Sequence, residues 1–521
     1  MITTLALFGL TVLPIVLRVT SSARLAFGFK NDASERETLV RVRAALDRSG
    51  IDVSSLSGEC TPSTALDGAS LNGSLDFAMA LLYAAHLGAF PMEALADIVA
   101  VGSITLTGEL RHTNGITSFV RGAAKVGKTL IVPEANQGEA AAARGRLATP
   151  CRVLVARELR DVIEHLRGGT PLRDAAPLAT LEQVDSHDMS KLYGNYACGY
   201  ACGRALEVAA AGSHNVLFFG PKKSGTHLMA RALVTILPEM TPAERDEVTE
   251  NYSSTGLLPQ NGSPMTRPFR APHHTVSPVA LVGGGTPLRP GEAALAHNGV
   301  LYLDEVVEFR LAAIEALREP MDHGSVSFRR RVGNFDVDTS YPAKPVVVMA
   351  ANSCPCGFYE ALGRACECTD AQRASYRARL AKMLAYVAIE AHPRIPERGA
   401  AWERSEVVRA RVTKARQIQA ARYAQGLVKA PTNDGLSWED ISVVVQLPAD
   451  AATMLEQAGR RLGFDVKSQT AKHALRLTRT IADLEGKDIH ASHLAEALTM
   501  VPRIGPVPAT EEKNEVHANI G

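Results

Sequence analysis

The run Asn215-Val216-Leu217-Phe218-Phe219 passes straight into Gly220-Pro221-Lys222-Lys223-Ser224-Gly225 and then into an apolar helical pattern over residues 228–237. Strand, Gly-x-x-x-x-Gly turn, helix: this order restricts the fold more than anything else in the chain. A turn of that kind aims several backbone N–H groups and the positive end of the helix dipole at one point. Such a point suits a phosphate. The two positions that follow are where a phosphate-binding loop carries Lys, for the β/γ-phosphates, and Ser or Thr, for Mg²⁺. Here they are Thr226 and His227. The candidate nucleotide contacts are therefore Gly220, Pro221, Lys222, Lys223, Ser224, Gly225, Thr226 and His227.

Further on, Val300-Leu301-Tyr302-Leu303-Asp304-Glu305 is an apolar strand ending in two carboxylates. In an ATP site Asp304 would hold Mg²⁺ and Glu305 would polarise the attacking water. The cradle and the carboxylates are legible, and the cation between them is missing. One charge-assisted hydrogen bond contributes about 1.5–3 kcal/mol, so its loss predicts ATP binding weakened about ten- to a hundredfold. Hydrolysis suffers more, because the lysine also steadies the departing γ-phosphoryl group. Lys222 or Lys223 folding back over the phosphates is the alternative, and Lys223 stands where such loops favour Gly.

The chain is long enough, at 521 residues, for several domains, and its 46% apolar and 21% charged content is that of an ordinary globular protein. A formal charge of +1 excludes a globally basic nucleic-acid binder, so any basic surface is local. Residues 1–19 are strongly apolar. Pro14 and the late first arginine, Arg18, fit a buried strand pair better than a membrane span or a signal peptide. Arg18, Ser21, Ser22 and Arg24 keep a mitochondrial presequence as the alternative to a cytoplasmic location. No membrane association is expected.

Residues 1–165 alternate strands and helices, with helices expected over 35–49, 75–87 and around 122–128, and strands over 98–101, 104–106 and 130–133. Residues 166–187 are poorly patterned and read as a linker. A second α/β block covers 188–395. Helical periodicity then dominates 396–504, over 402–425, 449–462, 468–484 and 491–500, and residues 505–521 read as a disordered tail.

Between the loop and the carboxylates lie Arg267-Pro268-Phe269-Arg270-Ala271-Pro272-His273-His274-Thr275, Gly283-Gly284-Gly285 and Arg289-Pro290-Gly291-Glu292. Leu317-Arg318-Glu319-Pro320-Met321 and Val348-Met349-Ala350-Ala351-Asn352 follow. This string resembles the magnesium-chelatase-like AAA+ family, in its competence ComM/YifB branch, and the likeness extends over nearly the whole chain. It implies an α/β fold made of a Lon-protease-like (ribosomal S5-type) N-terminal domain, an AAA+ P-loop core and a C-terminal α-helical lid. It also implies ATP with Mg²⁺ as cofactors, a homo- or hetero-oligomeric ring, and DNA branch migration. Asn352 matches the polar residue that orients the attacking water. Arg476 matches the lid arginine, with Arg479 as the fallback. The family's Leu-Leu-Asp-Arg segment corresponds to Leu384-Ala385-Tyr386-Val387, so an arginine that would act between subunits is valine here. Two charges lost from one ATPase scaffold imply impaired or absent hydrolysis, or a non-enzymatic pseudo-ATPase subunit.

A Lon-type peptidase needs a Ser activated by a Lys. Ser74 falls in the matching segment, but Thr117 stands where the Lys would be, so no protease activity is expected. Cys354, Cys356, Cys366 and Cys368 form two Cys-x-Cys pairs. They can surround a structural Zn²⁺, with Gly357 and Gly363 freeing the turn, or pack as reduced thiols. Cys60, Cys151, Cys198 and Cys202 read as small core residues. Arg329-Arg330-Arg331 is placed on a hairpin where a ring pore would meet DNA phosphates, or where it is simply a solvated charged turn.

Overall fold

The computed structural model describes residues 1–20, 25–27, 32–54, 56–63, 75–179, 200–264, 266–332, 335–359, 361, 364–384, 386–393 and 403–503. Ser74, Cys198, Gly363 and the expected tail lie outside them.

The apolar N-terminus forms two strands. Ile2–Phe8 and Thr11–Thr20 pair antiparallel from Ile2↔Leu17 to Phe8↔Thr11. They lie inside an eight-stranded mixed sheet whose order is Arg173–Asp174, Val153–Ala156, Thr129–Pro133, Ile98–Ala100, Ile2–Phe8, Thr11–Thr20, Gly58–Pro62 and Leu25–Phe27. Strand alternation sends Ile2, Ala6 and Phe8 into one apolar layer and Leu5 into the other. Helix Asp76–His86 is buried from Asp76 to Ala85 on the first face, and Ile116–Val126 covers the second. Arg173–Asp174 pairs with Val153–Ala156, so this sheet reaches into the stretch read as a linker. Among the described residues, no helix is long and apolar enough to cross a membrane.

The second sheet has five strands, all parallel, in the order Phe269–Arg270, Val300–Leu303, Val346–Asn352, Val216–Gly220 and Ile389–Ala391. Its strands read as near-continuous apolar runs because both faces are covered. Val216, Phe218, Val300 and Tyr302 pack against helices Tyr200–Gly212 and Thr226–Ile236. Leu217, Phe219, Leu301 and Leu303 pack with Phe309 and Tyr376 on the other side. Helices Ser405–Ala424, Ala449–Leu462, Gln469–Glu485 and Ala491–Met500 follow. They share the first of these two layers through Val408, Val412 and Leu477.

The two sheet regions meet through polar contacts as well as apolar ones. The Leu10 amide donates to Thr339 Oγ1 at 3.1 Å, and the Gly115 amide to the Ser253 carbonyl at 2.8 Å.

Candidate nucleotide site

In a parallel sheet, ligands gather at the carboxyl ends of the strands. Strand Val346–Asn352 lies between the other two strands that matter, with Gly220 opposite Asn352 and Leu303 opposite Met349. The Gly loop, the Asp304-Glu305 pair and Asn352 therefore converge at one edge. Gly225 opens helix Thr226–Ile236 at φ 79, in the left-handed region where a side chain is disfavoured. Lys223 also has a positive φ, 67°, and does so without the freedom of glycine. Ser224 is buried, whereas Lys222 and Lys223 are exposed. The strand, turn and helix expected around Gly220 to Gly225 are all present.

The two substituted positions have partners of their own. Thr226 Oγ1 lies 3.1 Å from the hydroxyl of Tyr302. Burial pushes the Tyr302 phenol above its ordinary pKa, so it stays protonated. The His227 ring meets Tyr302 edge-on at 5.4 Å and Phe269 at 6.0 Å. Arg231 Nε donates to His227 Nε2 at 2.9 Å, and the Arg231 guanidinium sits 4.8 Å from the Phe269 ring centroid. Sequence reasoning missed this group. Its one signal was an aromatic, Tyr302, inside a strand whose other positions are aliphatic.

Asp304 is exposed, and its Oδ1 accepts the Glu305 amide at 3.0 Å. Glu305 has φ 48, a strained backbone of the kind that collects at functional sites. The backbone N–H of Asn352 faces the hydroxyl of Tyr376, which is raised above its ordinary pKa chiefly by burial. Tyr376 also feels the charge of Glu305, so a phenol no motif had flagged belongs to this edge.

The structure brings Cys354, Cys356, Cys366 and Cys368 together, with all four sulfurs within 4.8 Å of one another. Cys354 Sγ lies 3.3 Å from Cys356 Sγ and 3.6 Å from Cys366 Sγ. The Phe358 amide, outweighing desolvation, draws the Cys356 thiol down to about 6. The donor set is all soft thiolate at short mutual distances, which fits tetrahedral zinc. Cys60, Cys151 and Cys202 are buried as expected.

A family model described as "Magnesium chelatase, subunit ChlI" matches residues 188–391, and "Magnesium chelatase, subunit ChlI C-terminal" matches 402–500. Competence protein ComM of Haemophilus influenzae is 34% identical over 82% of this chain and 82% of its own length. The chain belongs to the magnesium-chelatase-like family, on its ComM/YifB branch. Escherichia coli K12 YifB, itself uncharacterized, is 30% identical over 90% of this chain and 89% of its own. An uncharacterized Mycobacterium tuberculosis (strain H37Rv) protein is 33% identical over 75% of this chain and 76% of its own.

Other residues matched to the magnesium-chelatase-like pattern sit apart from this edge. Arg476 is buried, and its Nε donates to the Leu436 carbonyl at 2.9 Å. It lies 4.0 Å from Asp434, which in turn holds His214 at 3.2 Å, just before the loop strand begins. Arg476 thus lies near the end of the sheet where strand Val216–Gly220 begins. Arg479 is spent on Asp483 at 3.0 Å. Both arginines answer burial and helix-packing demands that a motif does not display. Val387 is 1% exposed, inside the apolar layer with Phe309 and Leu380.

The arginine triple lies on Ser325–Val332, paired with Phe335–Pro342. Arg329 bonds Asp338 at 2.8 Å, while Arg330 lines a cleft of about 320 Å³ facing Leu7, His112 and Asn114 of the first sheet region. Its middle member faces the partner sheet region, because alternate strand residues point to opposite sides. Thr117 donates to the Glu139 carboxylate at 3.1 Å, and Ser253 does so at 2.5 Å. The position that would hold a peptidase lysine is a buried joint between the two sheet regions.

Proposed function

We propose that this protein is a magnesium-chelatase/ComM-like AAA+ subunit that binds ATP, associates with DNA branch migration or recombination, and hydrolyses ATP slowly or not at all. Gly220 to Gly225 would cradle the phosphates through backbone amides, and Asp304 would hold Mg²⁺, which supplies charge neutralisation at the β- and γ-oxygens. Glu305 would orient water, with Asn352 beside it. The observation that carries the reading is Thr226, whose hydroxyl is engaged by Tyr302 where an ammonium would meet the phosphates.

A second reading is a non-enzymatic subunit in a hetero-oligomeric ring. Val387 favours it, because a buried aliphatic side chain stands where the resemblance expects an interface arginine. Restoring Thr226→Lys together with His227→Thr tests the pair. A weak ATPase gains both affinity and phosphate release. A scaffold gains affinity and stays silent in turnover.

The Lon-like character of residues 1–165, the lid role of 396–504, a ring assembly and a cytoplasmic location are part of the same proposal. They are supported by the ComM and YifB likeness, which covers most of the chain.

A further inference from the structure

The first cysteine pair is bracketed by two hydrogen bonds to the phosphate loop. Ser353, one residue before Cys354, donates its amide to the Gly220 carbonyl at 2.9 Å. Gly357, one residue after Cys356, accepts the Lys222 amide at 2.9 Å. The contact at Gly357 is close: a Cβ there would stand 2.3 Å from Lys222 Cγ, and its φ of 80 already favours glycine. The Lys222 side chain therefore lies across Gly357. Two hydrogen bonds and this contact tie the segment 353–357 to the turn 220–222.

What fixes 353–357 from its far side is the sulfur cluster. Cys356 Sγ lies 3.6 Å from Cys366 Sγ, ten residues further along the chain, so the contact is one of folding. Tetrahedral zinc with Zn–S bonds of about 2.3 Å sets its sulfurs roughly 3.8 Å apart. The observed separations of 3.3 and 3.6 Å, with all four sulfurs inside 4.8 Å, are close to that tetrahedron. Amides aim at the sulfurs as they do around thiolates: Tyr359 at Cys354, 3.3 Å; Cys356 at Cys368, 3.4 Å; Cys368 at Cys366, 3.4 Å. Arg373 adds positive charge, with Nη1 4.0 Å from Cys366 Sγ and 2.7 Å from the Cys368 carbonyl. Four thiols packed without a metal gain little from amide donors and a guanidinium, whereas a doubly negative zinc tetrathiolate gains from both.

We propose that Cys354, Cys356, Cys366 and Cys368 bind one Zn²⁺, and that this metal holds the phosphate loop in shape through Ser353–Gly220 and Gly357–Lys222. The metal is structural: four thiolates fill its coordination and leave no position for water. Its consequence for ATP rests on the nucleotide-site reading above, but its effect on the loop does not.

The test uses the full-length chain without nucleotide. Zinc content is measured after purification under reducing conditions, and again after reconstitution with Zn²⁺. Hydrogen exchange is then followed at residues 220–227 before and after zinc is removed with a thiol-directed mercurial and a chelator, with circular dichroism confirming that the helices persist. About one zinc per chain is expected, and its removal should speed exchange of the loop about tenfold. Gly357→Ala should keep the zinc and still loosen the loop, which separates the clamp from simple unfolding of a cysteine variant. A chain that takes up no Zn²⁺ on reconstitution overturns the site, and unchanged loop exchange after zinc loss overturns the coupling. Failure to bind ATP alone would count against the nucleotide reading and leave these two results untouched.

Discussion

The hydroxyl of Thr226 lies 3.1 Å from that of Tyr302, so the first helical turn after the phosphate loop is tied sideways to the carboxylate strand. A lysine at this position would send its ammonium forward to the phosphates. Thr226→Lys with His227→Thr is expected to tighten ATP binding about ten- to a hundredfold, the value of one charge-assisted hydrogen bond. Titration with a fluorescent ATP analogue checks this; unchanged affinity would mean that the cradle itself is not a phosphate site.

Lys223 holds φ 67 in the middle of that loop. A side chain in the left-handed region costs about 1 kcal/mol relative to glycine. Lys223→Gly should therefore raise stability by about that amount in urea unfolding. If ATP affinity is unmoved or improved, Lys223 does not substitute for the missing lysine. A clear fall in affinity would show that it does.

The joint between the sheet regions depends on one buried carboxylate. Glu139 accepts from the Thr117 amide at 2.8 Å, from its hydroxyl and from Ser253. Glu139→Ala leaves those donors buried without an acceptor, and a loss of about 3 kcal/mol is expected. Denaturant melts should show it, together with faster exchange at Gly115, whose amide bonds the Ser253 carbonyl.

Two buried histidines make the helical region sensitive to acid. Burial, chiefly, lowers His473 from 6.5 to about 4, with the Asp434 charge opposing; it also lowers His214, which bonds Asp434 and Thr480. A group depressed on folding binds its proton more readily in the unfolded chain. Its contribution is complete above the unfolded value of 6.5 and disappears as pH falls towards the folded one. For His473 the loss amounts to about 3 kcal/mol. Urea midpoints should be flat above pH 7 and fall between 6.5 and 4, with His473→Gln flattening the slope.

Periodicity and motif spacing carried much of this architecture. Helices 449–462 and 491–500 match Ala449–Leu462 and Ala491–Met500. The apolar N-terminus forms its strand pair because Leu5 and Ile15 each find a buried layer. The meeting of Gly220 with Asn352 was implicit in the order of the strands, since parallel strands bring their carboxyl ends to one edge. Arg476 is placed by burial and a backbone partner that a motif does not display. A helical arginine has the reach to serve either a ligand or a nearby carbonyl, and the Leu436 carbonyl is supplied by a loop forty residues earlier in the chain. The Tyr302, Phe269, His227 and Arg231 group was hidden likewise, because its members come from three separate elements.

On the proposed reading, an ATPase frame has lost the positive side chain that makes hydrolysis fast. Phosphate release by the purified chain, with Mg-ATP and with and without DNA, measures it directly. Turnover near background, unstimulated by DNA and unchanged by Glu305→Gln, is the expected result. Robust DNA-stimulated release that Glu305→Gln abolishes would show that the site hydrolyses ATP without that charge.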